Sequence, residues 1–146
     1  MLPIERKIVP HVIERQDLAT VGGGATARDA AMLMAARRIG AVLVVEDGRL
    51  AGIFTERDLL TRVVVAGRDP DETKVAAVMT RHPDTLRPDD SALTALELMN
   101  RRGFRHLPVV DGDELVGIVS IRDLYRNVKE QMEADIILLA ETLIQG

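Results

Sequence analysis

The sequence predicts an α+β chain: two β-α-β-β-α repeats packed around a pseudo-two-fold axis, with an extended C-terminal helix. Three observations carry the prediction. Gly117-Ile118-Val119-Ser120-Ile121-Arg122-Asp123 restates Gly52-Ile53-Phe54-Thr55-Glu56-Arg57-Asp58 at an offset of 65 residues. The same offset, without a gap, pairs Thr20 with Thr85, Met34 with Met99, Arg37 with Arg102 and Leu50 with Leu115, and about a third of the positions from Thr20 to Val63 match identically. Finally, neither Gly nor Pro interrupts the chain between Ser120 and Gly146, so the last helix has no internal stop.

Taken in order, Pro3 and Pro10 punctuate the opening, and His11–Glu14 reads as one helical turn. Leu18–Val21 reads as a short strand, and Gly22-Gly23-Gly24 as a loop. Ala30, Leu33, Met34 and Arg37 fall at helical spacing, with Thr26 as N-cap and Gly40 as the stop. The apolar run Ala41–Glu46 is a buried strand, joined through Asp47-Gly48 to Arg49–Phe54 as a hairpin. A helix from Thr55 to about Ala66 closes the first half, and the polar stretch after it marks the boundary. The second half replays this order: a short helix Val75–Met79, a strand Asp84–Leu86, a helix Ser91–Arg102, a hairpin Arg105–Asp111 and Glu114–Val119, and a helix from Ser120. The units so defined are residues 8–67, a linker 68–74, residues 75–130, and an extension 131–146. Leu124, Val128, Met132, Leu139 and Leu143 share one face of the last helix, which packs on its own body or, preferably, on a second copy as a homodimer.

The 146 residues are 47% hydrophobic but 2% aromatic, so the core is built from Val, Leu, Ile, Ala and Met. A net charge of −4 and the lack of aromatic platforms exclude a general nucleic-acid binder. Without cysteine there is no disulfide, thiolate metal site or cysteine catalysis. The apolar runs are too short for membrane insertion, and no secretory core is visible, so the expected location is cytoplasmic. His11 and His82 stand alone, away from metal-ligand spacing. A Ser120–His106–Asp123 triad lacks an oxyanion hole and a nucleophile elbow, so no enzyme activity is expected.

The repeated stretch has a chemical reading of its own. A glycine late in a strand admits a ligand or another backbone. Thr55 and Ser120 stand at helix starts, where free N–H groups and the helix dipole favour phosphate. Asp58 and Asp123, one turn on, suit the vicinal hydroxyls of ribose, and Arg57 and Arg122 add charged forks to phosphate. Ser/Thr-x-x-Asp is also a helix cap, and for one isolated copy the cap is the commoner meaning. Duplication, the preceding glycine and the shared arginine reverse that balance, and the two roles are compatible. The repeats are not equivalent: Arg105 and His106, in phosphate reach of the second device, stand where the first has Gly40 and Ala41.

These motifs resemble the CBS-domain pair, the family named for cystathionine β-synthase. The resemblance spans about Val12 to Lys129 and includes Val78-Met79-Thr80 and Phe104-Arg105-His106-Leu107-Pro108-Val109-Val110-Asp111. The layout is similar to stand-alone bacterial members. Such a resemblance implies an adenosine-type ligand (AMP, ADP, ATP, NAD or S-adenosylmethionine) and no catalytic cofactor. Thr55 and Ser120 would meet phosphate, and Asp58 and Asp123 ribose. Thr20, Val21, Ala41, Val42, Thr85, Leu86, Leu107 and Pro108 would border the base, with Met79 beside them. It further implies a sensor that signals to a regulated partner in trans. The first repeat departs from the family at Gly22-Gly23-Gly24, where a Pro-Asp-type turn is usual. The competing reading is a ligand-independent dimeric interaction scaffold in which both devices are only caps; a nucleotide hydrolase lacks a visible base or metal cluster.

Overall fold

A computed structural model describes residue 2 and residues 5–15 and 17–145; the opening Pro3 and the closing Gly146 lie outside them. The first repeat contains β1 (Thr20–Gly22), α1 (Ala27–Arg37), β2 (Ala41–Glu46), β3 (Arg49–Thr55) and α2, which opens at Glu56–Asp58 and continues with π-type hydrogen bonding through Leu59–Val64. The second contains α3 (Val75–Val78), β4 (Thr80–Arg81), α4 (Ala92–Arg102), β5 (His106–Asp111), β6 (Glu114–Ser120) and α5 (Ile121–Gln145). One sheet runs β1-β2-β3-β4, with β1 parallel to β2 and the others antiparallel; β5 and β6 form an antiparallel pair.

Local sequence explains most of these elements. Thr26 caps α1 through a reciprocal box, its hydroxyl accepting from Asp29 N while the Asp29 carboxylate accepts from Thr26 N. Ser91 caps α4 at the equivalent position. The hairpin turn Asp47-Gly48 has positive φ at both residues, as a type I′ turn requires, whereas Gly112-Asp113 has it at the glycine alone. Helix α1 ends earlier than Gly40: Arg38 adopts the left-handed conformation at φ 54, ψ 48. Its repeat counterpart, Gly103, adopts that conformation without a Cβ. Arg38→Gly is therefore expected to stabilise the fold by about 0.5–1 kcal/mol, read as a higher urea midpoint at unchanged slope.

Three expectations need correction. The strand at Asp84–Leu86 is reduced to one parallel bridge between Leu86 and Val109. In the first repeat Leu43 N donates to Ala19 O; its counterpart is Pro108, which has no N–H and cannot extend the pairing. Gly22 belongs to β1, paired with Val45, rather than to the loop. The opening turn covers Ile8–Val12 instead of His11–Glu14, because Ile8 and Ile13 are both drawn into the core and Ile13 N closes onto Ile8 O.

The cores show how the repeats join. One contains Ala27, Ala30, Met34, Val42, Val44, Phe54 and Val63, and is completed by Val75, Val78 and Met79 from beyond the linker. The other contains Leu86, Ala92, Met99, Leu107, Val119 and Leu124, and is completed by Ile8 and Ile13 from the start of the chain. Each repeat thus lends its leading segment to the other. The exchange is reciprocal in the backbone too: Val75 N donates to Ala25 O and Ala76 N to Gly23 O, while Ile8 N donates to Asp90 O and Val9 N to Pro88 O. A third cluster, in which Leu43 and Ile53 meet Leu50, Leu115 and Ile118, seals the two sheets together at the pseudo-two-fold.

Candidate functional site

The two repeated devices fold alike. At the end of β3 the Thr55 hydroxyl accepts from Asp58 N at 3.1 Å, and Thr55 N donates to Asp58 Oδ2 at 3.1 Å. At the end of β6 the Ser120 hydroxyl accepts from Asp123 N at 3.1 Å, and Ser120 N donates to Asp123 Oδ2 at 2.8 Å. Both are capping boxes, so one carboxylate oxygen of each aspartate is already committed.

The remaining oxygens differ. Asp58 Oδ1 lies 3.6 Å from Arg62 Nε and 3.5 Å from the Thr80 hydroxyl, and the residue is buried. Among the described residues Asp123 Oδ1 has Arg126 alone, at 3.9 Å, and the Asp123 side chain is 25% exposed against 11% for Asp58. Among the described residues, Asp123 Oδ1 thus has the looser partner and Asp123 the greater exposure. The crossing segment contributes to the difference: β4 brings Thr80 against Asp58. Arg62 also donates to Val78 O and Met79 O, while its counterpart Asn127 donates to His11 O, so this repeat position clasps each crossing segment. Sequence reasoning missed Arg62, Thr80 and Asn127; the constant offset linking Arg62 to Asn127 was the available signal.

The second device sits at the junction of the repeats. His106 is paired with Ser120 across the β5–β6 ladder. A Cβ built on Gly40 would lie 3.1 Å from His106 Nε2 and 3.6 Å from Glu56 Cδ, so Gly40 makes room for the imidazole beside the start of α2. Burial lowers the His106 pKa, and Arg105 adds to that; Glu56 and Asp123 pull the other way without reversing it. At neutral pH His106 is an uncharged ring with one N–H to donate. Arg57, Arg105 and Arg122 are exposed and form no ion pair among the described residues.

The residues assigned to the base are less available. Val42, Leu86 and Leu107 are sealed in the repeat cores, Ala41 and Pro108 are buried, and Met79 packs against Gly52. A ligand reaching these positions meets backbone; Val21 is half-buried, and Thr20 and Thr85 are exposed. Two surface concavities lie elsewhere: one of about 420 Å³ between α1 and α2, and one of about 320 Å³ along α5. Among the described residues no helix is long and apolar enough to cross a membrane.

Comparison with known proteins places this geometry. The sequence profile of the CBS domain matches residues 11–65 and 75–130. The chain is 41% identical over 110 residues to the CBS domain-containing protein YhcV of Bacillus subtilis, covering 75% of this chain and 78% of that one. It is 40% identical over 115 residues to CBSCBSPB2 of Arabidopsis thaliana, covering 78% of this chain and 22% of the plant protein, so it spans about a fifth of that relative's length. The crystal structure of a CBS-domain containing protein from Agrobacterium tumefaciens superposes with a TM-score of 0.71 at 36% identity, covering 76% of this chain and 89% of that one. CBS pairs are regulatory modules that often bind adenosine ligands, and the duplicated devices, the reciprocal exchange and both matched segments make this chain a member of the CBS-domain family, carrying a tandem CBS pair.

Proposed function

We propose that this chain is an adenine-nucleotide-binding regulatory module that signals to a partner protein through rearrangement of its two repeats, with the Ser120–Asp123 end of the second repeat as its main ligand site. The observation that carries the reading is the asymmetry of the two caps: among the described residues Asp123 Oδ1 faces only Arg126, at 3.9 Å, and is open to ribose hydroxyls, whereas Asp58 is closed in by Arg62 and Thr80. Ser120 and the first turn of α5 face phosphate, with Arg122, Arg105 and the neutral His106 as donors. Because His106 belongs to the second repeat and rests on Gly40 of the first, phosphate held there bears on the junction between them.

Thermal unfolding against AMP, ADP, ATP, NAD and S-adenosylmethionine tests this. A ligand at a hundred times its dissociation constant adds ~2.7 kcal/mol, which for a chain of this size raises Tm by on the order of 5–10 °C. Asp123→Asn keeps an oxygen for the Ser120 N–H but loses the carboxylate, so it should leave the unliganded Tm nearly unchanged and cut the shift to about half or less. A scaffold without ligand is the second reading, favoured by the completeness of both capping boxes, which by itself accounts for the repeated Ser/Thr-x-x-Asp. It requires that none of the five adenosine ligands shifts Tm.

A further inference from the structure

In each repeat the residue before the hairpin is hooked to the start of the helix after it: Gly40 O accepts from Glu56 N at 3.0 Å, and Arg105 O accepts from Ile121 N at 2.9 Å. The two hooks hold equivalent places, 65 residues apart, but their side chains differ. His106 reaches from the second repeat into the first hook. Its Nε2 and Cε1 would lie 3.1 and 3.2 Å from a Cβ on Gly40, with Glu56 Cδ 3.6 Å from the same point. The imidazole edge and the Glu56 carboxyl group therefore flank the space that Gly40 leaves, one from each repeat. The residues at the equivalent positions, Ala41, Arg105 and Ile121, include neither a histidine nor a carboxylate. The half-buried His106 ring meets charge from three sides: Glu56 of α2, Asp123 at the start of α5, and Arg105 just before β5. Gly40 and Ser120, its partner on β6, add none. Burial outweighs the two carboxylates, so charging the ring is disfavoured while the contact is closed.

We propose that this contact is a proton-operated joint between the two repeats: it closes around the neutral His106 ring and loosens when mild acid charges it. A charged ring regains its hydration by moving out from between Gly40 and Glu56, and the contact across the repeats goes with it. Linkage fixes the sign. The folded chain takes up this proton less readily than an unfolded chain, whose imidazole titrates at the ordinary 6.5. The joint therefore contributes its full stability above that pH and loses it as pH falls through the lower, folded value. It needs no nucleotide, so its failure and that of the ligand reading are separate outcomes.

Proton NMR of the full chain without ligand should place the His106 ring midpoint below 6.5. Two changes in the first repeat should move that midpoint in opposite directions. Gly40→Ala crowds the ring toward water and should raise it; Glu56→Gln removes a carboxylate that favours the cation and should lower it further. Loosening is read between spin labels on the double variant Ala36→Cys, Arg101→Cys, whose exposed positions are equivalent on α1 and α4 in a chain with no cysteine of its own. With labelled chains diluted in unlabelled ones, the distance distribution should broaden between about pH 7.5 and about pH 5.5. It should stay narrow once His106→Gln, which cannot take the charge, is added. A midpoint at or above 6.5, a midpoint indifferent to both first-repeat changes, label distances that ignore pH, or broadening that persists with His106→Gln would overturn the proposal.

Discussion

Gly52→Ala is expected to cost about 3 kcal/mol, among the largest losses available from adding one methyl group to this chain. Gly52 lies on β3, buried and paired with Arg81 of β4. A Cβ there would sit 2.6 Å from the Thr80 carbonyl oxygen and 2.6 Å from Met79 Sδ. The sulfur can swing aside, but the carbonyl belongs to the segment that crosses from the second repeat, so relief requires moving β4 off the sheet. Urea denaturation reads the effect, with Gly24→Ala as control, since a Cβ on Gly24 meets nothing within 4 Å. A cost at Gly52 as small as at Gly24 would contradict this packing. In the sequence, Gly52 marks a place where a ligand or a backbone comes close; the backbone that comes close is the chain's own.

Ile8→Ala should cost a comparable ~3 kcal/mol, since the side chain is wholly buried and its removal leaves a cavity. The location of the damage is the sharper prediction. Ile8 precedes the first repeat but packs with Leu107, Val119 and Leu124 of the second. Native-state hydrogen exchange should therefore show protection lost in β5 and β6 before β2 and β3. Val75→Ala, the mirror-image change, should loosen β2 and β3 first, because Val75 completes the other core. Losses confined to the repeat adjacent in sequence would rule out the exchange of leading segments.

What was legible in the sequence was periodic or repeated. The constant offset exposed the duplication, Asp47-Gly48 fixed a hairpin, and Thr26, Thr55, Ser91 and Ser120 announced helix starts that each carry a capping bond. The rest depends on contacts between distant segments. Thr80–Arg81 is too short to show strand alternation and is a strand only because β3 offers it an edge. The lost strand at Leu86 turns on the missing N–H of Pro108, more than twenty residues away. The inequality of the two candidate sites was legible at Arg105 and His106, but its larger cause was not: Thr80 closes over Asp58 from 22 residues further along the chain.

The most direct test of the central claim compares Asp58→Asn with Asp123→Asn by calorimetric titration of whichever nucleotide raises the wild-type Tm. Loss of charged hydrogen bonds to ribose should weaken binding by about ten- to a hundredfold in Asp123→Asn. Asp58→Asn should bind as the wild type does, because its carboxylate is already held by Arg62 and Thr80. Weakening by Asp58→Asn with Asp123→Asn unaffected would place the ligand in the first repeat and contradict the account.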